Sequence, residues 1–336
     1  MALFILACQP AADGGAESSS LALTQGAGGA GTKVGQNPQA YTIREFVYPE
    51  EQDLEITWVV ESLLPNGLYE RYEERLHADG TGQTRLDLLS YAPDLVQAMV
   101  APTSQQVMDY ENRMRFLVKY RNPHVRSFRA AGMNFQWIED PNLVQVAGID
   151  CIRTTAKSRH GHGDIEFLSD AQTDMVLGWT KFAPNGSVLM KLETTSVNTV
   201  SPNHTGVTWS SAIVGEQHFL PGDAHLLAFE PSVPGYLPTG FFAEENWIRF
   251  SAGLFPGMSD MLVNLYSDGV HLIFVAQHNQ KIFGTQMQIA NKVVDVQQYD
   301  LGGIRVAEGT LGKRKYYVAS MLSLDEIRTV FGSLLE

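Results

Sequence analysis

The sequence predicts an α+β chain dominated by antiparallel strands, and three observations carry that expectation. Apolar and polar residues alternate in several stretches, the period of two that a half-buried strand requires. Compact turn signals join such stretches in pairs, which reads as hairpins. Helical spacing occurs in two places, each opened by a capping box.

The chain opens on a bare apolar run, with Leu3, Phe4, Ile5 and Leu6 followed by small Ala7 and then Cys8. Residues 1–8 are far too few to span a bilayer, which takes about 20 apolar residues. The basic region that opens an ordinary secretory signal is missing. Ile5-Leu6-Ala7-Cys8 nevertheless resembles a bacterial lipobox, in which the signal is cut before the cysteine and its thiol receives lipid. Cys8 is therefore expected to be a lipid anchor, against the plainer alternatives of an unstructured terminus or a true start further upstream. Residues 9–40 are rich in Gly, Ala, Ser and Gln and cannot bury enough apolar surface to offset their conformational entropy. They read as a tether of roughly 30 Å reach, at ~5 to 6 Å per square root of residue number. Gln9, where an aspartate would favour inner-membrane retention in enteric bacteria, points the anchor to the outer membrane.

From residue 41 to 201 the pattern is mainly strand. Leu54, Ile56, Trp58 and Val60 alternate with Glu55, Thr57 and Glu61. Val188, Met190 and Leu192 alternate with Lys191 and Glu193, and Ala183-Pro184-Asn185-Gly186 supplies the turn that pairs this stretch with Met175 to Phe182. Asp164 to Leu168 adds a third strand to that meander. One segment breaks the period: Val107, Tyr110, Met114 and Leu117 recur at helical spacing behind a Thr103–Gln106 capping box. This helix is expected to cover an otherwise open sheet face. Met99, Met108, Met114 and Met133 serve there as core packing or line an adaptable apolar cavity.

Residues 202–224 read as a connection, with turn formers Ser201-Pro202-Asn203 at one end and Leu220-Pro221-Gly222-Asp223 at the other. Residues 225–336 form a smaller unit. Leu262 to Tyr266 and Val270 to Val275 flank a Ser267-Asp268-Gly269 turn, and Ile304 to Glu308 and Lys315 to Met321 flank Gly309-Thr310-Leu311-Gly312. A second capping box, Ser323 to Glu326, opens a helix whose apolar face is Ile327, Val330, Phe331, Leu334 and Leu335.

Composition bounds the function. The 336 residues are 44% hydrophobic and 18% charged, as in a globular protein. A net charge of −13 argues against a nucleic-acid partner, because phosphate binding needs clustered Lys and Arg. Lys313-Arg314-Lys315 is the single dense basic spot and reads as a solvated hairpin turn. With two cysteines, no disulfide network supports the fold, and Cys151 in its apolar stretch reads as a small buried hydrophobe.

Catalytic patterns are missing from the sequence: there is no G-x-S-x-G elbow, phosphate-binding loop, dinucleotide fingerprint or H-E-x-x-H. His160-Gly161-His162 with Asp164 offers the best metal set, yet its glycines suggest a bend and no further ligand completes it. A solvated histidine turn is the preferred reading. Asp164, Glu166, Asp170 and Asp174 lack calcium-loop spacing and read as a loose acidic loop. The sequence points to a binding protein that uses no cofactor.

Two stretches resemble a known family. Val146-Ala147-Gly148-Ile149-Asp150-Cys151 leads through Asp164 to Phe167 and into "SDAQTDMVLGWTKFAPNGSVLMKLETTSV". This is similar to the segment of the LolA/LolB/RseB superfamily in which a V-x-G motif precedes a strand, a D-x-x-T turn and a hairpin. Leu237-Pro238-Thr239-Gly240-Phe241 and Leu265-Tyr266-Ser267-Asp268-Gly269-Val270 resemble strands of the small C-terminal domain of the RseB/MucB family of periplasmic sigma-E regulators. The resemblance implies a large antiparallel half-open β-barrel with covering helices over residues 41–201, then a smaller α+β domain. It also implies periplasmic location, a concave apolar face for acyl chains or lipidated ligands, and a membrane-bound anti-sigma factor as partner. Trp58, Val60, Met114, Leu117, Trp137, Trp179 and Met190 are the candidate lining of that face. A carrier that hands lipoproteins to the outer membrane without signalling is the alternative, but it would need only the half-barrel.

Overall fold

The computed structural model describes residues 43–64, 67–108, 110, 121–209, 216–219, 229–244, 247–250, 258–280, 294–301 and 304–334. The Cys8 anchor and the tether lie outside the described residues, as do Met114 and Leu117.

The strands among the described residues form two antiparallel sheets. The larger is built from β1 (Asp53–Leu63), β2 (Tyr69–Asp79), β3 (Thr84–Ala92), β4 (Phe135–Glu139), β5 (Val144–Val146), β6 (Ile149–Ser158), β7 (Ile165–Asp170), β8 (Val176–Phe182) and β9 (Val188–Asn198). Its order is β3-β2-β1-β9-β8-β7-β6-β4, with β5 also on β6, so the sheet is open: β3 and β4 end the path and do not pair. The alternation read around Trp58 becomes β1, and the Ala183–Gly186 turn joins β8 to β9 through Ala183 N–H to Ser187 O, 2.8 Å. Val146-Ala147-Gly148-Ile149 closes the β5–β6 hairpin with positive φ at both central residues, 50° and 78°. That is the turn whose twist suits a two-residue hairpin.

The second sheet comprises β10 (Glu216–Phe219), β11 (Phe242–Ala243), β12 (Trp247–Phe250), β13 (Met258–Ser267), β14 (Leu272–Gln280), β15 (Val294–Leu301), β16 (Ile304–Leu311) and β17 (Arg314–Ser320). Its path is β10-β12-β13-β14-β17-β16-β15, with β11 on β13. The β13–β14 hairpin turns at Asp268-Gly269 as expected, while β16 and β17 pair as expected but turn at Gly312-Lys313, because Gly309, Thr310 and Leu311, expected in the turn, continue the strand. β10 falls inside the stretch expected to be a connection and forms an edge of this sheet.

Helix is sparse among the described residues. Residues 104–108 are helical behind the expected capping box, in which Thr103 N–H donates to Gln106 Oε1 and Gln106 N–H to Thr103 Oγ1. α1 (Phe128–Asn134) is capped by Ser127 and α2 (Leu324–Ser333) by Ser323. α2 buries Ile327, Val330 and Phe331 against Ile273, Val275, Ala307 and Val318, one face of the second sheet. The opposite face of that sheet, with Phe274, Ala276, Val306 and Ala319, joins a single core with the larger sheet.

Candidate functional site

Strand register brings the candidate residues together. Trp58 pairs with Glu74 and Thr194, Val60 with Tyr72 and Leu192, and Ser62 with Met190. Leu192 pairs in turn with Trp179, Met190 with Lys181, Trp179 with Phe167 and Lys181 with Ile165. Ile165 pairs with Ala156, and Ala156 with Trp137. Paired residues project to the same side of a sheet. Trp58, Val60, Trp137, Trp179 and Met190 therefore share one inner face, and none is more than 7% exposed.

The inner face is covered by the chain itself. Phe46, from the segment before β1, stacks on Phe167 at 4.7 Å between ring centroids, and Trp137 stacks on the same ring at 6.1 Å. Tyr110 and Arg121 cover the β1–β2 side. The second sheet covers β7 and β8.

A carboxylate lies at the middle of this apolar face. Glu74 is fully buried and accepts hydrogen bonds from Arg121 Nη1 (2.6 Å), Arg121 Nη2 (2.8 Å), the Tyr110 hydroxyl (2.6 Å) and Trp58 Nε1 (2.5 Å). Burial works against charge on Arg121, but the facing Glu74 carboxylate more than offsets it and holds the guanidinium above its ordinary pKa. Burial, then the same carboxylate, raise the Tyr110 phenol. The two-pronged guanidinium geometry fixes the Arg121 side chain in one position against β2.

The junction with the second sheet is made by the motifs quoted above. Asn134, at the end of α1, donates from Nδ2 to Gly240 O (2.9 Å) and Asp268 O (2.8 Å). His160 Nε2 donates to Asn134 Oδ1 at 2.9 Å and His162 Nε2 to Thr239 O at 2.8 Å, while the His162 ring sets its edge against Phe241. Arg126 N–H donates to Gly269 O. Gly269, at φ +104°, lies so close to α1 that a Cβ there would fall 2.4 Å from Ala131 N.

Behind this latch is a cavity of about 20 Å³ lined by Ile165, Trp179, Lys181, His271, Phe274 and Ile304, among others. Lys181 is 1% exposed. Burial, partly offset by Asp268 and reinforced by Arg305, lowers its amine to about 7. Asp268 accepts from Val270 N–H, His271 N–H and His271 Nδ1, which keeps its carboxyl below the ordinary range despite burial. Burial lowers the His271 imidazole, with Asp268 opposing and Lys181 adding to the effect.

Several expectations need correction. His160 is exposed in a bend, as the solvated-turn reading expects, but its ring also bonds Asn134; His162 is buried, and among the described residues neither belongs to a metal-binding group. Met108 and Met133 are 51% and 60% exposed, so they belong neither to the core nor to a cavity. Asp170 and Asp174 form a tight turn: Asp170 accepts from Gln172 N–H and Thr173 Oγ1, and Asp174 pairs with Arg44. The Lys313–Lys315 run is solvated at Lys313 alone, since Arg314 lies over the Phe229 ring and Lys315 pairs with Glu308. Cys151 is buried as expected, and burial pushes its thiol up to about 11. Glu74, Arg121, Lys181, Asn134, Asp268 and His271 were not singled out from sequence as site residues.

No family model and no curated protein matches the chain. Among solved structures it is similar to MucB in complex with the periplasmic part of MucA, at 15% identity and TM-score 0.47, over 84% of this chain and 92% of that one. The Pseudomonas aeruginosa MucA/MucB complex (14% identity, TM-score 0.46) and MucB alone (16%, 0.47) align over the same shares of the two chains.

Proposed function

We propose that the chain is a non-enzymatic, lipid-anchored envelope protein that takes an acyl chain or lipidated ligand on the inner face of its larger sheet. Through its C-terminal half it regulates a membrane-bound anti-sigma factor. The observation that carries this reading is the place of the motifs that resemble the RseB/MucB C-terminal domain. Thr239-Gly240-Phe241 and Asp268-Gly269 are the points at which the second sheet is bonded to the first. A simple carrier has no need of a second sheet held so specifically.

Trp58, Val60, Trp179 and Met190 are filled against by the protein's own side chains, and burying each such side chain is worth roughly 1.5–3 kcal/mol. An acyl chain reaches them by displacing a cover, so occupancy and the position of that cover are linked. A ligand that binds the uncovered form alone shifts the balance toward it.

Native mass spectrometry of the full chain, with oleate, lysophospholipid and a palmitoylated peptide added in turn, tests the ligand. A stoichiometric acyl adduct, accompanied by faster amide exchange in β13 and β14, supports the reading. A mass that stays free of adduct with all three overturns it. Crosslinking in cells is expected to recover a membrane protein carrying a sigma-factor-binding domain, and recovery of outer-membrane assembly proteins instead favours the carrier.

A further inference from the structure

Three buried polar groups line the junction cavity without using their hydrogen-bonding capacity on the protein. Trp179 Nε1 and His271 Nε2 have no hydrogen-bond partner among the described residues. Lys181 makes no hydrogen bond or close ion pair among the described residues, although its side chain is almost wholly buried. Apart from Ser320, the remaining wall residues are apolar, Ile165, Val270, Phe274 and Ile304 among them. Burying polar groups in such a setting is unfavourable unless something pairs with them.

The chemistry of the three groups narrows what that can be. An indole N–H and an ammonium only donate. The other end of the His271 ring is fixed, because Nδ1 donates to Asp268 Oδ2 at 2.7 Å. Nε2 is then a lone pair when the ring is neutral and a third donor when it is protonated. Asp268 favours the charge on Lys181 through space but makes no hydrogen bond or ion pair with it among the described residues. Ser320, the other polar residue of the wall, donates its hydroxyl to Leu272 O at 2.6 Å. The occupant must accept hydrogen bonds from at least two donors and balance a positive charge. Size sets the upper bound: about 10–15 Å³ holds one water, so a 20 Å³ cavity takes a body of that order and no acyl chain.

We propose that the cavity between the two sheets is a binding site for one small monovalent anion, of chloride size, held by Lys181 Nζ and Trp179 Nε1 with His271 Nε2 completing the set at low pH. The anion would join β8 to the β13–β14 turn. Binding would be linked to protons, because it requires the charged amine and favours the charged imidazole. Arg305 adds positive charge near Lys181, His162 adds to the field at His271, and Asp268 is the negative group facing both.

The test uses the full chain in a gluconate buffer, gluconate being too large to enter, titrated with sodium chloride at constant ionic strength at pH 6.0 and 8.5. Unfolding temperature is the readout, and a saturable rise at pH 6.0 with the midpoint at least tenfold higher at pH 8.5 is expected. Bromide should substitute for chloride. Lys181→Met should abolish the saturable rise, and Trp179→Phe, which keeps the ring and removes one donor, should move the midpoint up several-fold. If Lys181→Met does not fold, Trp179→Phe decides. A rise that is linear in chloride, equal with gluconate, or unchanged in Trp179→Phe overturns the site and leaves a water-filled cavity.

Discussion

Replacing Glu74 by leucine should be among the most damaging single changes in the larger sheet. Leucine fits the apolar surroundings, so the loss is not one of volume. What disappears is the acceptor for four donors, two from Arg121 and one each from Tyr110 and Trp58, all of them buried. Breaking a buried ion pair from one side costs about 3–5 kcal/mol, because the remaining charge has no partner. Each further orphaned donor adds roughly 1 kcal/mol, though the terms overlap in one network. The expected loss of about 5 kcal/mol equals the whole stability of a weak domain. Equilibrium unfolding in guanidinium chloride, followed by tryptophan fluorescence, measures it. Glu74→Leu combined with Arg121→Met removes the unpaired charge and should recover at least 2 kcal/mol of the loss. If Glu74→Leu costs under about 1 kcal/mol, or the double variant is worse than the single one, the carboxylate does not anchor Arg121 and Tyr110.

Lys181 gives a pH signature. Its amine titrates near 7 in the fold against 10.5 when unfolded, so between those values the unfolded chain holds the extra proton and stability climbs with pH. Below about 7 both states carry the charge and this group adds no slope. In chloride-free buffer the climb should total about 4–5 kcal/mol from 3.5 units at 1.36 kcal/mol each, and Lys181→Met should flatten it; an equal climb in the variant refutes the assignment. Gly269→Ala meets backbone atoms of Ala130 and Ala131 and a positive φ, so it should cost at least about 2 kcal/mol and speed proteolysis between the sheets. A wild-type proteolysis rate would show that the latch tolerates the shift. Cys151 should react with a disulfide reagent at pH 8 only as fast as the protein opens, since burial both shields the thiol and raises it to about 11. Rapid labelling of the folded chain would contradict that burial.

Strand pairing and turns were legible because their signals are local. The alternation at Leu54 to Val60, the Pro-Asn-Gly turn before β9 and the two capping boxes each specify a piece of backbone without reference to the rest of the chain. The shared inner face of Trp58, Val60, Trp179 and Met190 followed from the same period of two. Polar residues at inward positions were missed, although the pattern contains them: Glu74 stands between Tyr72 and Leu76, and Lys181 two residues beyond Trp179. Their partners could not be read, because Arg121 is 47 positions from Glu74 and Asp268 comes from the other sheet. The histidines misled for a related reason. A short H-x-H run has the same appearance whether its rings hold a metal or a distant carbonyl, and the carbonyl of Thr239 lies 77 residues away.

The two principal covers of the inner face are held by different physics, and the difference bears on which one can move. Over β1 and β2, Tyr110 and Arg121 are held by charge-assisted bonds to a carboxylate with no access to water, so lifting them strands an ion on each side. Over β7 and β8 the second sheet rests on apolar contacts and on hydrogen bonds from Asn134 and His162 to backbone carbonyls, with no carboxylate on the accepting side. When no anion occupies the cavity, it also encloses a lysine whose burial is unfavourable and two ring nitrogens with no partner among the described residues. Separating the sheets returns Lys181, Trp179 and His271 to water and recovers part of what apolar burial contributed. The junction is therefore the weaker closure, and the acyl ligand proposed above would gain entry there at lower cost than beneath Arg121. Because Asp268 and Gly269 lie on that same junction, displacement of the second sheet alters the surface of the half proposed to meet a protein partner, which is the coupling a regulator requires.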